Sequence, residues 1–188
     1  MKKGLLAAIV AIGIVVLSAS AVVGTYNRMV VQNESIDGQW AQVENQLQRR
    51  FDLIPNLVET VRAFAAHERA AIDSVTEARA RLGGQLTPGQ RMDAENQLSG
   101  ALSRLLVIVE NYPVLKADAN FRMLMDQLEG TENRLAQERR MFNEMVRDYN
   151  VTIRRFPAAF LARLFGFIER AYFQAPDGAT TAPRVTFP

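Results

Sequence analysis

One histidine, His67, is followed directly by Glu68. In the His-Glu-x-x-His helix motif a second histidine four residues on shares a zinc ion while the glutamate acts as base. Position 71 is Ala71, so the second ligand is missing and His67 reads as a helix-surface residue. The chain has no cysteine, which removes thiolate nucleophiles, thiolate metal ligands and disulfides, and leaves His67 as the sole conventional base near neutral pH. Gly83-Gly84 is not followed by the Gly-Lys-Ser/Thr that completes a phosphate loop. The 20 acidic residues guarantee carboxylate pairs somewhere, yet salt-bridged helical faces call for the same acids. The reading is therefore non-enzymatic, with no catalytic residue, cofactor or metal, and a cryptic hydrolase is the remote alternative.

The polar residues that break into apolar stripes are the more informative ones. Arg50 and Asp52 flank Phe51, Asn56 follows Pro55, and Glu132 and Arg139 lie near inward positions of a heptad. The plainer reading is a set of interhelical ion pairs and hydrogen bonds that fix register. The sharper one starts from Pro55, which has no N–H to give to the carbonyl of Phe51, so that Arg50, Asp52, Pro55 and Asn56 gather there as a binding spot. A second candidate surface is the aromatic run holding Phe156, Phe160, Leu164, Phe165, Phe167, Ile168 and Tyr172, with Arg154, Arg155, Arg163 and Arg170 nearby. It either fills the open side of a bundle or docks on a bilayer or another subunit, with Phe160 and Phe167 as contact residues.

The elements that position these residues are helical. Among 188 residues, 22 basic and 20 acidic side chains nearly cancel, and the basic ones are spread along helical periods, which argues against a nucleic-acid partner. No charged residue occurs between Lys3 and Arg28, and residues 5–23 are apolar apart from Gly13, Ser18 and Ser20. About 20 helical residues span roughly 30 Å of hydrocarbon, so this stretch suffices for a membrane anchor. Lys2 and Lys3, the apolar run and the small residues 18–21 also spell a secretory signal cleaved after Ser20, but Val22 and Val23 carry the apolar stretch past that point and favour the uncleaved anchor. Lysines ahead of the span and only Arg28 just after it put the N-terminus in the cytoplasm and the rest outside it.

From Ile36 to Leu82, apolar residues step by three, four, seven or eight, a helical stripe that bends or breaks near Pro55. Gly83-Gly84 ends it, and Thr87-Pro88 starts a second helix as N-cap and first residue. Leu98, Leu102, Leu105, Leu106 and Val109 mark that helix's buried side, and Asn111-Tyr112-Pro113 interrupts it. Phe121, Leu128, Leu135, Phe142, Tyr149 and Phe156 recur every seventh residue and predict a third helix packed in a bundle. A fourth, short and very apolar, covers Ala158 to about Tyr172. The prediction is all-α: an N-terminal transmembrane helix (1–25), an up-and-down antiparallel four-helix bundle with a long first helix (26–173), and a disordered tail (174–188) rich in Pro, Ala, Thr and Gly.

The stretch from Gln46 to Val58, Q-L-Q-R-R-F-D-L-I-P-N-L-V, resembles the signature of the LemA family. Tyr26-Asn27, Glu34 and Trp40 upstream agree with it. So do His67-Glu68, Ala78-Arg79, Glu110-Asn111-Tyr112-Pro113, Leu128-Glu129-Gly130-Thr131-Glu132-Asn133-Arg134, Tyr149-Asn150, Phe156-Pro157, Gly166-Phe167 and Tyr172-Phe173 downstream. The resemblance implies a membrane anchor carrying an antiparallel helical bundle, and it implies no catalytic residues. The tail ending in Val185 and Phe187 is also similar to family C-termini, and its short Val-x-Phe strand suits addition to a partner's sheet edge or a bundle groove. The expected protein is a scaffold or adaptor in the cytoplasmic membrane with an extracytoplasmic domain. It would touch lipid through its anchor, form homo-oligomers and recruit a membrane or exported protein, with membrane shaping as the alternative role.

Overall fold

The computed structural model describes residues 2–173 and is all-α and bundle-like. Its helices are α1 (Lys2–Phe64), α2 (Arg69–Leu82), α3 (Pro88–Val109), α4 (Pro113–Ala117), α5 (Ala119–Arg154) and α6 (Ala158–Phe165). The tail at 174–188, with Val185 and Phe187, lies outside the described residues. The chain divides into two compact units, one of residues 2–40 with Met141–Tyr172, the other of Ala41–Arg140 with Phe173.

In the unit of Ala41–Arg140, one core draws on five helices. Ile54, Val58 and Val61 come from α1, Ile72, Val75 and Leu82 from α2, Leu98, Leu102 and Leu105 from α3, Leu115 from α4, and Phe121 and Leu128 from α5. Side-chain links set the directions. Arg81 on α2 donates to Gln97 on α3 at 2.6 Å, while Ser74, two turns earlier on α2, meets Arg104, two turns later on α3, at 3.5 Å. The two helices therefore run antiparallel. Thr87 and Gln90 form a capping box at the start of α3, with Pro88 in the first turn. Asp118 accepts from the Phe121 N–H at 2.9 Å and caps α5 in the same way.

The first stripe does break, but not at Pro55. α1 runs through the proline to Phe64, and the chain turns at 65–68. Between Phe64 and Ile72 the stripe carries only alanines as apolar residues, so little burial holds a helix straight there. The Glu68 N–H donates to the Ala65 carbonyl at 3.0 Å, and the Tyr112 hydroxyl from the α3–α4 corner donates to the Glu68 carboxylate at 2.8 Å. His67 thus sits exposed on this turn and not on a helix surface. Phe64, counted in the stripe, is 41% exposed.

In the other unit, the Trp40 and Phe142 rings meet at 5.5 Å, and Tyr149 lines a cavity of about 400 Å³ with Val30, Asn33 and Glu34. Moving forward along α5 moves back along α1, so the two are antiparallel here. Met29, Ile36, Phe142, Val146, Tyr149, Ile153, Leu161 and Ala162 are buried. Five of the six heptad residues face a core, but α5 stops at Arg154 ahead of Pro157, and Phe156 turns out, 92% exposed. The fourth helix is shorter than expected: α6 ends at Gly166, whose φ of 77° is the left-handed cap, and the Phe167 N–H returns to the Ala162 carbonyl at 2.9 Å. Residues 167–172 then run without helix, held by α5. The Tyr149 hydroxyl donates to the Ile168 carbonyl at 3.0 Å, and the Asn150 amide both donates to and accepts from the Arg170 backbone at 2.9 Å.

Candidate functional site

The polar residues converge most densely around Arg50. It sits on the α1 face shared by Leu47 and Ile54, and is only 5% exposed. Its guanidinium meets three partners: Glu95 on α3, Glu132 on α5 at 2.5 Å, and the Ser99 hydroxyl on α3 at 3.0 Å. Arg139, one further pair of turns along α5, closes on Glu95 at 3.6 Å, and its guanidinium also lies over the Phe173 ring at 4.3 Å. Two arginines and two glutamates from three helices make a network that is neutral in sum. Glu95 is completely buried. Burial pushes its carboxyl above the ordinary value, and the neighbouring Arg50 and Arg139 offset part of that push. Burial likewise lowers Arg139 from the usual arginine range, against the pull of Glu95 and Glu132. An open groove of about 350 Å³ passes this network, lined by Arg50, Ser99, Leu102, Met125, Leu128 and Glu132.

A helix rotates about 100° per residue, which separates the candidates that the sequence placed together. Arg50 points into the bundle, whereas Asp52 and Asn56 are exposed on another face and Pro55 is half-buried. Asp52 accepts from Gln48 at 2.8 Å, one turn back on the same helix. The carbonyl of Phe51, which Pro55 leaves without its helical donor, is taken by Arg79 of α2. The Arg79 Nε–H donates to it at 3.1 Å while the guanidinium stacks on the Phe51 ring at 3.8 Å. Arg79 thus completes the turn at the proline and ties α2 to α1.

In the other unit, Phe160 is 69% exposed on α6, and Phe167 is half-buried with its ring 5.7 Å from that of Tyr26. Glu95, Arg79, Tyr112 and Asn150 were absent from the sequence candidates. For Glu95 a signal existed, since Met92, Glu95, Leu98 and Leu102 step by three and four along the buried side of α3.

Among the described residues one helix, α1, is long and apolar enough to cross a membrane. Ile9, Ile14, Val15 and Leu17 are exposed on it, and its Ser20 and Thr25 hydroxyls donate to carbonyls one turn back, at 2.9 and 2.8 Å.

The LemA family profile matches residues 39–187. Among characterised proteins, magnetosome protein MamQ of Magnetospirillum gryphiswaldense is 28% identical over 200 residues, covering 90% of this chain and 74% of that one. Magnetosome protein MamQ 2 of Paramagnetospirillum magneticum is 26% identical over 196 residues, covering 88% and 72%.

Proposed function

We propose, from the premise that this chain belongs to the LemA family, that it is a membrane-anchored, non-enzymatic scaffold that self-associates or recruits partners at the bilayer. In this reading residues 5–23 cross the cytoplasmic membrane with the N-terminus inside, and an up-and-down helical bundle stands on the other side. The observation that carries it is the continuity of α1, which runs unbroken from the apolar stretch into the residues that pack both units. An anchor built into the longest core helix makes the membrane attachment part of the fold. The charged network points the same way. Its arginines and glutamates neutralise one another between helices, which is how buried ionic groups specify register. The relatives bear the name of magnetosome proteins, and a structural, non-enzymatic role is compatible with that company.

The test is the mass of the full chain extracted in mild detergent, with its N-terminal sequence. An intact N-terminus in a discrete assembly several times the 21.0 kDa chain is the expected result. A chain that begins at Ala21 would remove the anchor from the reading. An intact monomer that yields no cross-linked partner in its own membranes would remove the scaffold.

A further inference from the structure

Three large apolar side chains, four residues apart, stand out from one end of the Trp40-containing unit: Phe156 is 92% exposed, Phe160 69% and Leu164 65%. Single exposed apolar residues are ordinary, but a cluster of this size marks a contact surface. The opposite side of α6 is accounted for, because Ala158, Leu161 and Ala162 are buried against the unit.

The height of this cluster follows from the register of α1 and α5. Trp40 faces Phe142, and Tyr149 lies by Asn33, so residues whose numbers sum to about 182 are level. Both helices advance about 1.5 Å per residue. Arg154 at the end of α5 is then level with Arg28, and the Ala159 N–H returns to the Arg155 carbonyl at 2.8 Å, which keeps the start of α6 near that level. The far end of α6 returns to the same height: the Tyr26 ring meets Phe165 at 4.9 Å and Phe167 at 5.7 Å. The two ends of α6 therefore sit between Tyr26 and Arg28, three to five residues or roughly 4.5–7.5 Å beyond the apolar run. A helix with both ends at one height on an upright stem lies across it. At that level tyrosine and arginine belong to the headgroup layer.

We infer that α6 and the corner leading into it lie in the lipid headgroup layer, on the domain's side of the bilayer, with Phe156, Phe160 and Leu164 reaching toward acyl chains. This rests on the reading of residues 5–23 as a membrane span. The charges fit an anionic lipid surface. Arg155 and Arg163 are exposed beside the apolar cluster, and Arg28 is level with it on α1. Arg154 pairs with Glu169 and Arg170 with Asp37, which fastens the segment after α6 to the stem. The anchor and α6 together form one continuous lipid-facing surface, a span with a short wedge in one leaflet.

Because the chain has no cysteine, single-cysteine variants give clean reporters. The full chain is reconstituted in phosphatidylcholine–phosphatidylglycerol vesicles carrying an environment-sensitive fluorophore at Phe160→Cys, Leu164→Cys, Ser35→Cys or Ile14→Cys, with nitroxide lipids as quenchers. The expected result is blue-shifted emission at 160 and 164 that nitroxides near the headgroup quench. Position 35, about 18 Å beyond Val23 along α1, stays water-like, and position 14 is quenched by nitroxides deep in the bilayer. Blue-shifted but unquenched emission at 160 and 164 would mean a protein contact, such as a second copy, and would overturn the inference, as would water-like emission there. Loss of quenching at position 14 would instead remove the span itself, and the α6 assignment with it.

Discussion

Replacing Arg50 with methionine removes the cation that two carboxylates share, and its cost can be worked from the geometry. Glu132 keeps 43% of its side chain in solvent and can turn outward, so it loses little. Glu95 has no such escape: it is wholly buried, and its remaining partner, Arg139, stands at 3.6 Å. Breaking a buried ion pair by deleting one member costs about 3–5 kcal/mol. Glu95 is already biased by burial toward its neutral form, and protonation relieves part of that cost, which places the expectation at the low end, about 3 kcal/mol. Adding Glu95→Leu to Arg50→Met should recover much of the loss, because an apolar pair in place of a buried ionic one is commonly neutral. Recovery stays incomplete, since Arg139 would then have only the Phe173 ring and Glu132 nearby. The assay is denaturant unfolding of the full chain in mild detergent, followed by helical circular dichroism. A single variant within about 1 kcal/mol of the parent, or a double variant less stable than the single, would refute the assignment of Arg50 as the buried hub.

Two further predictions follow from the same contacts. Burial raises the folded-state pKa of Glu95 above its ordinary 4.5, so the folded chain holds a proton that the unfolded chain releases. The contribution of this group is most favourable below about 4.5 and is lost as pH rises through the folded value. Comparing unfolding free energies of the parent and Glu95→Gln across pH 4 to 8 should therefore show the parent losing ground as pH rises; a difference that grows in the parent's favour would contradict it. At the proline, Arg79→Ala should cost about 1–2 kcal/mol through the lost hydrogen bond and ring stacking. The cost should shrink in a Pro55→Ala background, where the backbone N–H restored at position 55 is free to serve the Phe51 carbonyl, and strict additivity in the double-mutant cycle would argue against that coupling.

What was legible in the sequence was what a single helix reports about itself. The sevenfold run from Phe121 to Tyr149 faces a core throughout, and Thr87-Pro88 caps α3 as its chemistry requires. The apolar segment near the N-terminus is a helix that continues into the rest of the fold. Two of the departures turn on a partner elsewhere in the chain. Pro55 left a break into two helices open because its lost donor leaves a carbonyl free, but α1 continues through it and Arg79, 28 residues on, takes that carbonyl. The true turn at 65–68 has no glycine or proline, and is pinned by Tyr112 through Glu68. Gly166 did carry a local stop signal, and the aromatic residues beyond it concealed it by extending the apolar pattern to Tyr172.

Arg50 shows how far periodicity could have gone. Read as one site with Asp52 and Asn56, it looked like a polar surface near a kink; read by angle, it shares the face of Leu47 and Ile54 and must be buried. A buried arginine on a helix in a chain without nucleic-acid character calls for acids at matching inward positions on facing helices. Glu95 lies at such a position on α3 and Glu132 on α5. With Arg139 added, the four charges balance only when α1, α3 and α5 sit in one register. A slide of α3 by one turn, about 5.4 Å, would carry Glu95 away from both Arg50 and Arg139 and leave it buried without a counter-ion. The apolar residues of these helices step by three and four and tolerate such a slide far better. Burial drives the helices together, and the network selects which of the near-equivalent packings they keep.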